Sequence, residues 1–280
     1  MSSQPGLKAV MICGAGHSGS TLLGMILGSH SQSFYMGEGG KVRYLGDAKK
    51  PLRKRVCKIC GENCPVWTGF NWDPDTALYA QIALHVEKQV IIDSTKSDQW
   101  IEARIAEMHQ SGGHPHLILL TRDGRAVVNS RIRKYPEREA ETQIRDWMAQ
   151  MQRSEALFAR FDGPKLRIRY EDLAESTETV ARQLCEFLGL EFEQSMTRFA
   201  EADHHVLGGN SGTQYIAARH KFDDPDDAFV SLNDRTRDYY REHSGDIEID
   251  LRWKTELSEE HAALFNHLAG PTNETMKWEA

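Results

Sequence analysis

The stretch CGAGHSGSTLLGMILGSH, residues 13–30, decides how the chain folds. It follows a short apolar run, LKAVMIC (7–13), and leads into a segment that is apolar nearly all round. That order reads as a buried strand, a glycine turn and a central helix. Gly14 and Gly19 have the spacing of the phosphate-binding pattern G-x-x-x-x-G-K-[ST], and Thr21 closes it. Ser20 stands where the lysine belongs. A turn of this kind aims backbone N–H groups and the positive end of a helix dipole at one point, so it is an anion site. Without its lysine it lacks a group that ATP or GTP hydrolysis needs beside a magnesium ion.

Working outward, QVIIDSTK, HLILLTRD (116–123) and LRIRYEDL (166–173) read as further strands. Between them lie helical segments: TALYAQIALHVEK, QWIEARIAEMHQSGG ending at Gly112, and RAVVNSRIRK. In a long helix after these, Ile144, Trp147, Met148, Met151, Phe158 and Phe161 mark one face. VARQLCEFLGL turns Val180, Leu184, Phe187 and Leu188 inward, with Gly189 as its C-cap. Apolar strands alternating with helices predict an α/β fold: a P-loop-type parallel sheet with helices on both faces. The chain after about residue 195 is polar and poorly periodic, and the last ten residues are expected to fray.

Of the 280 residues, 40% are hydrophobic, enough for a sizeable core, and the formal net charge is −7. That charge disfavours nucleic acid and anionic membranes as bulk partners. The start, MSSQPGLKAV, has no basic-then-apolar leader, and no apolar run approaches the roughly 20 residues of a membrane span. A soluble, cytoplasmic protein without nucleic-acid partners is expected. Cys13 and Cys185 sit in apolar runs and read as buried thiols.

A second anion-binding element has a physical basis of its own. Arg122 ends a strand, where parallel sheets place ligands, and its guanidinium can grip a phosphate bidentately. Ser130 lies about two helical turns further on. A sulfuryl group carries less charge than a γ-phosphate and needs no metal bridge, so a lysine-free loop suits a sulfated nucleotide.

GHSGSTLL, LLTRDGRAVVNSRIRK (119–134) and RIRYEDL, in this order, resemble the motifs of sulfotransferases that use 3′-phosphoadenosine 5′-phosphosulfate (PAPS). The resemblance covers about residues 7–190 and is nearest to the tyrosylprotein branch and its bacterial relatives. It implies one sulfotransferase-like domain over 1–280. About 40–75 would be a cysteine-containing insertion on the substrate side, and about 195–280 would cover substrate and nucleotide. It implies that Gly16, His17, Ser18, Gly19, Ser20, Thr21 and Leu22 surround the 5′-phosphate, that Arg122 and Ser130 hold the 3′-phosphate, and that Tyr170 lies near the adenosine. The loop HHVLGGNSGT (204–213) is similar to loops in bacterial relatives that close over the nucleotide, through Gly208, Gly209 and Asn210.

Family members usually carry lysine or arginine where this chain has His17. As an imidazolium, His17 would supply that charge with a pH dependence near neutrality. Lys96, in IIDSTKS, is the alternative cation. The resemblance also assigns Glu38, in FYMGEGGKVR, as the general base that takes the acceptor's hydroxyl proton, and the apolar approach Phe34-Tyr35-Met36 is expected to desolvate it. The reaction is expected to need PAPS, to leave 3′,5′-bisphosphoadenosine (PAP), and to require no metal. The acceptor would be a small molecule, a glycan or a tyrosine.

CKICGENCPVW contributes Cys57, Cys60 and Cys64. A local disulfide or free thiols rank ahead of zinc, because a structural zinc site wants four ligands and no fourth is evident nearby. From Lys41 to Lys58, eight basic residues face only Asp47. They form either a solvated loop or a dock for an anionic acceptor. Two rival functions remain: a kinase using ATP and magnesium, with Asp93 as its metal-binding acid, and a non-catalytic nucleotide-binding module.

Overall fold

The computed structural model describes residues 6–224, 227–232, 236–237, 239–240 and 245–279. Its centre is a five-stranded parallel sheet of order β2-β3-β1-β4-β5. The strands are β1 (Lys8–Gly14), β2 (Ser33–Tyr35), β3 (Val90–Asp93), β4 (His114–Thr121) and β5 (Lys165–Arg169). β1 and β4 are the longest pair, registered from Lys8 opposite His114 to Gly14 opposite Leu120. Their near-continuous apolar sequences follow from burial on both faces, as a parallel sheet demands.

Helix α1 (Ser20–Gly28) leaves the end of β1 and buries Leu23, Met25, Ile26 and Leu27. Each such side chain withdrawn from water contributes about 1.5–3 kcal/mol. The long amphipathic helix Ala140–Arg160 presents Ile144, Trp147, Met151 and Leu157 to the core. Thr177–Leu188 buries Val180, Leu184 and Leu188 and ends at Gly189, whose φ of 61° suits a glycine. The strand order reverses on either side of β1, and such a switch point opens a crevice at the strand ends.

Three expectations change. The strand read over 166–173 stops at Arg169, and Tyr170–Glu175 is helical. Glu171 and Asp172 fall in that helix's first turn, where the dipole favours acidic groups. Residues 271–279 are docked rather than frayed. Met276 is buried, Trp278 N–H donates to Asp123 Oδ2 at 2.8 Å, and Arg125 Nη2 donates to the Trp278 carbonyl at 3.0 Å. The short edge strand β2 was not anticipated. Tyr35 from it packs its ring over Gly24 of α1, where no side chain would fit.

Candidate active site

The turn after β1 is held from beneath. Gly14 N–H donates to Ser154 Oγ at 3.1 Å and Gly16 N–H to Gln150 Oε1 at 3.2 Å. Arg131 Nη2 donates to the Gly16 carbonyl at 3.3 Å. His17 adopts a φ of 76°, an uncommon value for a residue with a side chain. The strain is held by two contacts from the next motif. Arg122 Nη1 donates to the His17 carbonyl at 3.1 Å, and His17 Nδ1 shares a hydrogen bond of 2.9 Å with Ser130 Oγ. Such over-determined strain is typical of ligand clamps.

Gly19 caps α1 in the left-handed region at φ 91°, with no side-chain hydrogen bond to the helix start. Hydrogen bonding within α1 begins with Leu23 N–H to the Gly19 carbonyl, so the first-turn N–H groups of Ser20, Thr21 and Leu22 remain free for an anion. A Cβ at Gly19 would lie 2.5 Å from the Tyr170 ring, so only glycine fits. The Ser18 hydroxyl is buried under the turn and has no partner.

These groups line one cleft of about 330 Å³, with Gly16, His17, Gly19–Leu22, Glu38, Lys96, Arg122, Ser130, Tyr170, Gly209 and Asn210 all on its walls. Arg122 lies under the Tyr170 ring, 4.1 Å from its centroid, and its Nε is buried and unpartnered. Asp250 approaches from the far side: its carbonyl accepts from Arg122 Nη2 at 3.2 Å, and its carboxylate sits 3.4 Å from the same nitrogen. Asp250 N–H donates to Tyr170 Oη at 3.1 Å. Arg252 grips the Asp250 carboxylate at 2.7 and 2.8 Å and stacks 4.0 Å from the Tyr239 centroid. Asp250 and Arg252 escaped the sequence reading because they lie in an irregular segment with no periodicity, and Tyr239 because the chain around it is polar.

The loop of Gly208, Gly209 and Asn210 meets the glycine turn as expected. Asn210 N–H donates to Thr21 Oγ1 at 2.8 Å, and the Asn210 side chain caps the helix Ser211–Lys221. Gly209, at φ 130°, packs on Thr21 with no room for a side chain. Gly208 lies against Glu38 and Lys41 instead of lining the first cleft.

Two expected features are corrected. His17 is not a cation near neutrality. Burial, then Lys134, Arg131 and Arg122, lower its pKa to about 3, so the ring is a neutral hydrogen-bonding group. Glu38 is not desolvated: its side chain is 38% exposed, and Lys41 Nζ lies 2.7 Å from its Oε2. Gly37, at φ 80°, turns the chain outward after the buried residues 34–36. Lys96, by contrast, is drawn in. Its Nζ donates to the Ile12 carbonyl at 2.9 Å, and burial lowers its pKa to about 8, still above neutrality.

Asp93 has no lone pair to spare for a metal. Its Oδ1 accepts from Gly39 N–H at 2.9 Å and from the N–H and hydroxyl of Thr95 at 2.7 Å each. Its Oδ2 accepts from Tyr79 at 2.9 Å and from Trp100 Nε1 at 2.8 Å. Its work is to fix the turn that carries Glu38.

A second cleft, of about 620 Å³, opens on the other side of Glu38. Lys41, Arg43, Arg53, Lys54 and Lys58 line it, with Tyr44 and Phe229. Among the described residues, no carboxylate pairs with Arg53, Lys54 or Lys58. Burial, reinforced by Lys41, lowers the Lys58 pKa to about 8.

Among the described residues, no helix is long and apolar enough to cross a membrane. The structure is similar to the sulfotransferase domain from the curacin biosynthetic pathway, with a TM-score of 0.61 and 20% identity over 96% of this chain and 99% of that one. It is also similar to the sulfotransferase domain of the Synechococcus PCC 7002 olefin synthase, with a TM-score of 0.57 and 20% identity over 95% of each chain. A mouse sulfotransferase, SULT7A1 complexed with PAP, aligns with a TM-score of 0.50 and 13% identity over 95% of this chain and 83% of that one. At such identities these likenesses establish the fold alone. No curated protein sequence matches the chain. Residues 9–194, well over half of the 280, match the sequence profile of the sulfotransferase family and span both anion-binding motifs. The chain therefore belongs to the sulfotransferase family.

Proposed function

We propose that the chain transfers the sulfuryl group of PAPS to the hydroxyl of an anionic acceptor. The observation that carries this reading is the hydrogen bond of 3.1 Å from Arg122 to the His17 carbonyl, which brings two anion-binding elements to one cleft. A single adenosine ligand with phosphate at both ends suits that pairing. The orphaned Ser18 hydroxyl and the free first-turn N–H groups suit its 5′ end. Arg122, with an unpartnered Nε, and Ser130 suit the ribose 3′-phosphate, with Tyr170 beside them. The donor supplies an activated sulfur–oxygen bond.

In this reading Glu38 accepts the acceptor's hydroxyl proton, and the Lys41 ion pair orients the carboxylate before the acceptor arrives. Lys96, at the inner end of the cleft, stabilises negative charge on the departing phosphate together with the loop N–H groups. His17 contributes a neutral hydrogen bond. The acceptor enters from the basic cleft, where Arg53, Lys54 and Lys58, which meet no carboxylate among the described residues, favour a sulfate, phosphate or carboxylate group. Glu38 lines both clefts, so it stands where acceptor and donor meet.

The saturation of Asp93 disfavours the kinase reading. The test is an acceptor screen with labelled PAPS, with and without magnesium. Transfer of label to an acidic phenol, glycan or peptide that does not depend on added magnesium supports the proposal. Turnover of ATP with magnesium and none of PAPS would refute it.

A further inference from the structure

Outside the first cleft, three cysteines meet a histidine far away in sequence. The ligating atoms of Cys57, Cys60, Cys64 and His205 all lie within 4.8 Å of one another. His205 Nδ1 is 3.4 Å from Cys60 Sγ and 3.3 Å from Cys64 Sγ. Cys57, Cys64 and His205 are buried, Cys60 is half-buried, and all are free of disulfides. Tetrahedral zinc, with Zn–S bonds of about 2.3 Å and Zn–N bonds of about 2.0–2.1 Å, sets nitrogen and sulfur roughly 3.5 Å apart, near the 3.3 and 3.4 Å between His205 and its two cysteines.

The surroundings are those of a metal site. His205 Nε2 hydrogen-bonds to Asp203 Oδ2 at 3.1 Å, and Lys221 pairs with the other oxygen of that carboxylate. A carboxylate behind a ligating imidazole fixes the tautomer and aims the free nitrogen at the metal. Trp67 Nε1 donates to the His205 carbonyl at 2.8 Å. The N–H groups of Ile59 and Cys60 both point at Cys57 Sγ from 3.4 Å and hold that sulfur in place. A left-handed Gly61 closes the turn, bridged back to Cys57. A disulfide between any two of these cysteines would leave the oriented imidazole facing a lone thiol.

We propose that Cys57, Cys60, Cys64 and His205 bind one zinc ion in a closed, structural site. Four protein ligands leave no open position for chemistry, and none of the four lines the first cleft. The ion would tie the basic segment to the loop that follows His205. Backbone bonds from Lys58 to Val206 (2.7 Å) and from Leu207 to Met36 (2.9 Å) run beside it. That loop carries Gly208 against Glu38 and Asn210 against Thr21, so the metal would brace both clefts. The ranking of disulfide or free thiols ahead of zinc is thereby reversed, because the missing ligand lies 141 residues beyond Cys64.

Elemental analysis of the tag-free, full-length protein tests this. About one zinc per chain is expected, as purified or after adding zinc under reducing conditions, with a lower melting temperature after chelation. Cobalt in its place should give the thiolate charge-transfer and d–d bands of a tetrahedral site. Cys60→Ser and His205→Ala should reduce bound metal to near zero, and Asp203→Ala should weaken affinity about 10–100-fold. The wild-type measurement stands even if a variant fails to fold. A wild-type chain that takes up no metal, or a native disulfide among Cys57, Cys60 and Cys64, would overturn the proposal.

Discussion

The two clefts that meet at Glu38 are built from different material. The first stands at the ends of β1 and β4, and its walls include the backbone of the glycine turn, Gly19 and Gly209, which tolerate no Cβ, and one buried arginine stacked on Tyr170. The second is lined by long basic side chains from two short helical turns, Gly39–Tyr44 and Leu52–Arg55, and from Lys58, beside the start of the helix Ser211–Lys221. A cleft made of fixed backbone groups is pre-organised for one ligand and excludes near relatives. A cleft made of flexible cations attracts a class of ligand and leaves the exact partner to shape. On the proposed function, the contrast means that the donor site is fixed far more tightly than the acceptor site.

The sharpest way to break this division is at Glu38, a side chain that lines both clefts. Glu38→Gln is expected to lower kcat by about 10²–10⁴-fold while PAP affinity stays within about twofold, as read by steady-state kinetics and calorimetry. A matching loss of affinity would place Glu38 in the donor site instead. Next in size, charge reversal in the second cleft, Arg53→Glu with Lys54→Glu, should raise KM for an anionic acceptor about tenfold or more. PAP binding should be untouched, and the effect should shrink at high salt. Equal KM for anionic and neutral acceptors in the wild type would remove the reason for the basic lining.

A smaller effect separates the two candidate cations. Lys96 loses its proton near pH 8 in the free protein, so kcat/KM should fall as pH rises through that value. Lys96→Arg should remove this limb. His17, neutral down to about pH 3, should contribute no limb near neutrality. A neutral-pH limb that vanishes in His17→Asn would restore the imidazolium.

The glycine-turn half of the first cleft was legible in the sequence, the second cleft only as a run of basic residues, and the far wall of the first cleft not at all, for physical reasons. The strand, glycine turn and helix of 7–28 are local, and their periodicity and glycine spacing are set by their own backbone. Arg122 and Ser130 were readable because a strand end and one helix face fix where they point. The setting of Glu38 was not, since the Gly37 turn and the Lys41 ion pair outweigh the apolar residues before it. Asp250 and Arg252 reach the cleft from an aperiodic segment, and His205 meets its cysteines only through the fold. The tail's docking rests on single hydrogen bonds from Trp278 to Asp123 and from Arg125 to its carbonyl, which leave no pattern in composition.

The central claim is that the glycine turn and Arg122 grip opposite ends of one adenosine ligand. Isothermal titration calorimetry of the wild type and Arg122→Ala with PAP and with 5′-AMP tests it most directly. The wild type should bind PAP about 100-fold more tightly than 5′-AMP, and Arg122→Ala should abolish most of that preference while binding 5′-AMP nearly as before. Equal wild-type affinity for the two nucleotides would contradict the account.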